Sequence, residues 1–81
     1  MRVRVRLFAS LREAVGRSEL ELEVGGDATP EEVFRALSRT HPALTKRRAS
    51  LSAAVNRRYV GFDEPLREGD EVVFVPPVSG G

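Results

Sequence analysis

The sequence predicts an α+β domain in which one main helix covers one face of one sheet. Three observations predict it. Two segments near the N-terminus alternate apolar and charged residues with a period of two, the mark of half-buried strands. A later segment carries the start signals and apolar stripe of an amphipathic helix. A short apolar run near the C-terminus, Glu71–Val75, is closed by Pro76-Pro77. A chain of 81 residues forms a single domain with one thin core, burying about 60–65% of the surface its unfolded form exposes. The folded domain is expected over residues 1–76. Residues 77–81 are expected to form a flexible tail ending in Gly-Gly.

The elements follow in order. Over residues 2–8, Val3, Val5 and Leu7 point one way and Arg2, Arg4 and Arg6 the other. Over residues 19–24, Leu20, Leu22 and Val24 alternate with Glu19, Glu21 and Glu23. Pairing the two strands sets an arginine row against a glutamate row. Each cross-strand pair is worth about 0.2–1 kcal/mol, so the gain is chiefly in register. Between them, Ser10 and Glu13 fit a capping box and Gly16 a helix stop, giving a short turn of helix at Leu11–Val15. Thr29-Pro30-Glu31-Glu32 supplies an N-cap, a proline at the first helical position and a second box. Val33, Phe34 and Leu37 then form the stripe of a helix from Pro30 to Arg39, ended by Pro42. Residues 42–50 read as a polar connection with at most a helical turn. Leu51–Asn56 is a third strand, turning through Asn56-Arg57-Arg58 into Tyr59-Val60. Glu68-Gly69-Asp70 is a turn before the last strand, and proline at its end cannot donate to a ladder.

Composition narrows the function. Thirteen basic and 12 acidic residues leave a net charge of +1, without the basic excess of a nucleic-acid-binding domain. Twelve of the basic residues are arginine; Lys46 is the one lysine. The absence of cysteine removes disulfides, thiolate metal sites and cysteine nucleophiles. A single histidine, His41, removes a histidine metal cluster. Arginines interrupt the apolar N-terminus, so no signal peptide is read there. No apolar run reaches the roughly 20 residues a membrane span needs. A cytoplasmic location is the expectation, with no membrane or nucleic-acid partner.

Two constellations remain. The chain ends Pro-Pro-Val-Ser-Gly-Gly. At a glycine frequency of about 7%, two terminal glycines arise by chance in roughly one chain in 200. Two residues without Cβ give the narrowest chain end, fit for a tight channel. The Gly81 carboxylate is then the reacting group, with Val78, Ser79 and Gly80 as the tail that presents it. An ionised α-carboxylate (pKa about 3.5) is a poor electrophile, so an activating partner is implied. The second constellation is apolar residues on the wrong side. Phe8 falls in phase with the arginines, and the last strand is apolar on both faces, with Val72 and Phe74 opposite Val73 and Val75. A partner-docking patch beside the tail, including Tyr59, accounts for this.

These residues resemble the small sulfur-carrier subunits of molybdopterin synthase, the MoaD type. The similarity runs through Leu7-Phe8-Ala9-Ser10-Leu11-Arg12-Glu13, Ala53-Ala54-Val55-Asn56, Pro65-Leu66, Gly69-Asp70-Glu71-Val72 and the Pro76-Pro77-Val78-Ser79-Gly80-Gly81 ending. The resemblance implies a ubiquitin-like β-grasp fold with a mixed sheet. It implies that a ubiquitin-activating-like adenylyltransferase spends ATP to adenylate Gly81, and that a sulfur donor then yields a thiocarboxylate. The large subunit of molybdopterin synthase, in a heterotetramer, would receive the tail and pass sulfur to the cyclic pyranopterin precursor. This chain would be a non-catalytic carrier binding no cofactor or metal of its own. Phe8, Tyr59, Val75, Pro76 and Pro77 fall where the family meets the large subunit. A related carrier for thiamine or tRNA thiolation shares the chemistry. A nucleic-acid module using the first-strand arginines is the alternative of another class, opposed by the glutamate row.

Overall fold

A computed structural model describes residues 1–77. Its elements are β1 (Arg2–Arg6), α1 (Ala9–Val15), β2 (Glu19–Glu23), α2 (Pro30–Thr40), a 3₁₀ segment (Pro42–Ser50), β3 (Ser52–Val55), β4 (Arg58–Val60) and β5 (Glu71–Val75). The five strands form one mixed sheet in the order β2-β1-β5-β3-β4. β1 and β5 run parallel, and the other neighbours are antiparallel. The last strand is therefore the middle one. The alternation in β1 and β2 sets Arg2, Arg4 and Arg6 opposite Glu23, Glu21 and Glu19.

The inward face of the sheet meets α2. Val3, Val5, Val72 and Phe74 are fully buried there, against Val33, Phe34 and Leu37 of the helix. The Phe74 ring meets Phe34 edge-on, with centroids 5.3 Å apart. It stacks on Phe62 at 6.0 Å. Loss of such a ring from a core costs about 3–5 kcal/mol. The described residues include no buried polar side chain, so apolar packing alone fills the interior.

Two helix starts differ in outcome. Thr29 caps α2 as its sequence predicts, accepting from the Glu32 N–H at 3.4 Å. Glu32 does not complete the box, because its carboxylate is paired with Arg35 at 3.5 Å. The Ser10–Glu13 box of α1 is a correction. That helix starts at Ala9, with extended Phe8 at the N-cap and no side-chain cap. Ser10 lies inside it, and its hydroxyl accepts from Arg47 Nη1 at 2.7 Å. Gly16 does stop α1, in the left-handed region at φ 84° with its N–H on the Arg12 carbonyl. α2 runs to Thr40, one residue beyond its expected end. Residues 42–50 are more ordered than a polar connection requires: a 3₁₀ segment that buries Leu44.

Arg48 fastens that segment to the rest of the fold. Its guanidinium grips the Glu31 carboxylate through Nη2 at 2.6 Å and Nε at 3.0 and 3.1 Å. The same group lies 3.4 Å above the Phe62 ring centroid. The hydrogen bond from Arg48 holds the Glu31 carboxyl below the usual carboxylate range, against an opposing push from partial burial.

The β3–β4 turn uses Asn56 and Arg57, both left-handed at φ 49° and 71°. This is the two-residue geometry that matches the twist of a hairpin. Asn56 is also anchored. Its Nδ2 donates to Asp70 Oδ1 at 2.8 Å, and its Oδ1 accepts from the Glu71 N–H at 3.0 Å.

Candidate functional site

The outward face of the sheet is built by strand register. One row crosses all five strands: Glu19, Arg6, Val73, Ala54 and Tyr59. The row changes character halfway. Arg6 lies 3.9 Å from Glu19 and 3.8 Å from Glu71, so the β2–β1 side is ionic. From Val73 onward the side chains are apolar or aromatic. The neighbouring row sets Val75 opposite Ser52. Phe8 follows Arg6 by two residues as Val75 follows Val73, which brings both to the same end of the parallel pair.

Phe8 and Tyr59 are the large apolar side chains left exposed among the described residues, at 44% and 74%. Val75 and Pro76 are half-buried and Pro77 is exposed. Alternation in a strand explains why these residues share a surface, since Val72 and Phe74 take the core and Val73 and Val75 must point away. Arg6 stands 5.5 Å from the Phe8 ring centroid, so the charged half of the face borders the aromatic half directly. The result is an apolar patch with an ionic rim, the layout of a protein-docking surface.

The patch adjoins the chain's exit. β5 is hydrogen-bonded between β1 and β3, so Pro76-Pro77 leave the domain from its most firmly held strand. The tail residues Val78, Ser79, Gly80 and Gly81 lie outside the described residues.

Among the described residues, no group of three His, Cys, Asp or Glu side chains is placed to hold a metal ion. One concave region is lined by Asn56, Arg58 and Asp70 and another by Glu23, Asp27 and Thr29. No described helix is long and apolar enough to cross a membrane. The first-strand arginines, the basis for a nucleic-acid surface, face glutamates instead: Arg2 is 3.4 Å from Glu23, as Arg6 is 3.9 Å from Glu19.

Sequence reasoning did not anticipate the contribution of Ala54 to the outward face. The signal was available, because Ala54 alternates with Ala53 and Val55, but all three read as apolar.

Comparison with known proteins adds an independent line. The model of the ThiS family matches residues 5–81. The chain is 43% identical over 82 residues to the molybdopterin synthase sulfur carrier subunit of Escherichia coli (strain K12), covering 98% of this chain and 99% of that one. The crystal structure of SAMP1 from Haloferax volcanii is similar at a TM-score of 0.89 and 32% identity, with 100% of both chains covered. A complex of subunits 1 and 2 of molybdopterin-converting factor from Helicobacter pylori 26695 contains a chain similar at a TM-score of 0.70 and 26% identity, again over 100% of both.

Proposed function

The chain belongs to the ThiS family, and from that premise we propose that it is a sulfur carrier in molybdenum cofactor biosynthesis whose reacting group is the Gly81 carboxylate. The observation that carries this reading is the apolar patch of Phe8, Tyr59 and Val75 beside a chain exit anchored on the middle strand. A carrier needs a surface that partners recognise and a chain exit beside it. Val75 and Pro76 bring the two together.

The chemistry starts from a carboxylate that is ionised at neutral pH and resists nucleophiles. A ubiquitin-activating-like adenylyltransferase supplies ATP. A Gly81 oxygen attacks the α-phosphorus, pyrophosphate leaves, and the acyl adenylate becomes electrophilic. Sulfide-level sulfur from a donor attacks the carbonyl carbon, a C–S bond forms, the C–O bond to AMP breaks, and a thiocarboxylate remains. The large subunit of molybdopterin synthase then admits the tail and passes the sulfur to the cyclic pyranopterin precursor. The reaction belongs in the cytoplasm, where ATP is at hand, and a heterotetramer with the large subunit is its setting.

This chain's own part is positional. The patch docks and excludes water at its centre. Pro76-Pro77 stiffen the tail's base, since each fixes its own φ. Gly80 and Gly81 contribute no side chain to obstruct a channel. Reach is the critical quantity, because one extended residue spans about 3.3–3.6 Å and reacting atoms must approach within about 3–3.5 Å.

Deleting Gly81 tests this. Wild type and variant are incubated with the activating enzyme, ATP and a sulfur donor, then weighed intact. Wild type should gain one oxygen-to-sulfur exchange and the deletion none, with melting temperature unchanged. Equal gain by the deletion would refute the assignment.

A further inference from the structure

A groove runs between α2 and the 3₁₀ segment, on the helical side of the sheet. Its α2 wall is Glu31, Phe34, Arg35, Ser38 and Arg39, the i, i+3, i+4, i+7, i+8 spacing of one helix face. That stripe is about 12 Å long, or two helical turns. Thr45 and Arg48 line the other wall, three residues apart, and in a 3₁₀ helix such positions eclipse. The floor is mostly apolar. Phe34 is nearly buried there, and Ser38 shows its methylene, because its hydroxyl turns back to donate to the Phe34 carbonyl at 2.9 Å.

One end of the groove is cationic. Seven basic and no acidic residues lie between Glu32 and Asp63, in a chain whose net charge is only +1. Arg48 is engaged with Glu31 and so fixes the wall. Arg35 lies 3.5 Å from Glu32, but both side chains are more than half exposed, so water weakens the pair. Arg39 is exposed and makes no ion pair or side-chain hydrogen bond among the described residues. Arg35 and Arg39 are i, i+4 neighbours, about 5–6 Å apart at Cβ. A nucleic acid fits this surface less well. Glu31 stands at the other end of the groove with Glu32 beside it, against a phosphate chain, and the exposed aromatic rings, Phe8 and Tyr59, lie elsewhere and cannot stack a base here.

We propose that this groove is a second docking site, which takes a two-turn acidic amphipathic helix of a partner protein. Apolar side chains of that helix lie on Phe34 and Ser38, and carboxylates spaced i, i+4 meet Arg35 and Arg39. The inference is separate from the carrier reading, since it uses neither the tail nor the patch of Phe8, Tyr59 and Val75. The groove lies across the sheet from that patch, so a partner held in it leaves the patch open.

The probe is a stapled helical peptide of about 12 residues, since an unconstrained one that short barely folds. It carries leucines along one stripe and glutamates beside them. Titrated into the isotope-labelled full chain at about 0.15 M salt, it should shift the amide signals of residues 31–39 and 45–48 in a saturable way. Arg39→Glu should weaken binding about tenfold, because an attraction becomes a repulsion at an exposed side chain that holds nothing else in place. Arg57→Glu changes the net charge equally. It sits at the end of β3 away from the 3₁₀ segment, a four-residue strand or about 13 Å off, beyond the screening length of about 8 Å. Its Kd should stay within about twofold of wild type. A peptide with serine in place of leucine should bind at least about tenfold more weakly. No saturable shift at about 1 mM peptide, shifts confined to the outward face, equal loss from the two charge reversals, or equal binding by the serine peptide overturns the proposal. So does tighter binding of an oligothymidylate of the same charge that Arg39→Glu abolishes, which would make the groove a nucleic-acid surface.

Discussion

Replacing Tyr59 with alanine separates docking from folding more cleanly than any other change to the patch. A tyrosine side chain presents about 200 Å² when fully exposed. Tyr59 is 74% exposed, which leaves about 150 Å² for a partner to cover. At about 25 cal/mol per Å², full coverage is worth about 3.7 kcal/mol, or about 500-fold in Kd. Association costs make this an upper bound. The hot-spot threshold of about 2 kcal/mol, or about 30-fold, is the lower one. The folded domain loses only the remaining quarter of the side chain, about 50 Å² and at most about 1.3 kcal/mol. Phe8 gives the contrast. It is 44% exposed, so Phe8→Ala removes about 90 Å² of docking area and about 110 Å² of packing, and stability and affinity fall together. Calorimetric titration into the purified large subunit of molybdopterin synthase reads the affinity, and urea unfolding reads the stability. If folded Tyr59→Ala binds within about threefold of wild type, Tyr59 is not an anchor of the docking surface.

Further outcomes follow from the same geometry. Arg48→Ala removes both the grip on Glu31 and the cation above Phe62; it should cost about 1–3 kcal/mol, about 4–24 °C in melting temperature for a domain of this size. Glu31 has its pKa lowered by folding, so its contribution is present above the unfolded glutamate pKa of about 4.3 and is lost as pH falls through the folded value. The stability gap between wild type and Arg48→Ala should therefore narrow in acid, and a constant gap from pH 7 to pH 2 argues against the ion pair. In the hairpin, Arg57→Gly relieves a left-handed backbone at φ 71° and should stabilise by about 0.5–1 kcal/mol. Asn56→Gly relieves a similar φ but loses the bonds to Asp70 and Glu71, so its unfolding midpoint should fall.

Much of the domain was legible because local chemistry and final structure agree. The Arg/Glu alternation of β1 and β2 reports burial directly, and Thr29-Pro30 forces a helix start whatever its surroundings. The misplaced start of α1 has a distant cause. Ser10 has the chemistry of a cap, but Arg47 takes its hydroxyl from 37 positions away. The Arg48–Glu31–Phe62 cluster was illegible for the same reason, since its members meet only once the 3₁₀ segment folds across α2. Strand order was hidden too. Periodicity identifies β5 as a strand but does not reveal that it inserts between β1 and β3. The candidate docking residues were visible as exceptions, apolar side chains in phase with charged ones, and exceptions of that kind are readable without knowing the neighbours.

The central place of β5 bears on synthesis. β1 emerges from the ribosome well before its parallel partner β5. Such long-range pairing is slow to form and depends on late contacts. A chain that stops short of β5 lacks the strand that joins the two halves of the sheet, leaving Val5 without Val72 and the β3–β4 hairpin unattached to β1. It stays unfolded and open to proteolysis. Folding thus waits on β5: a copy that reaches the native state has been translated at least through Val75.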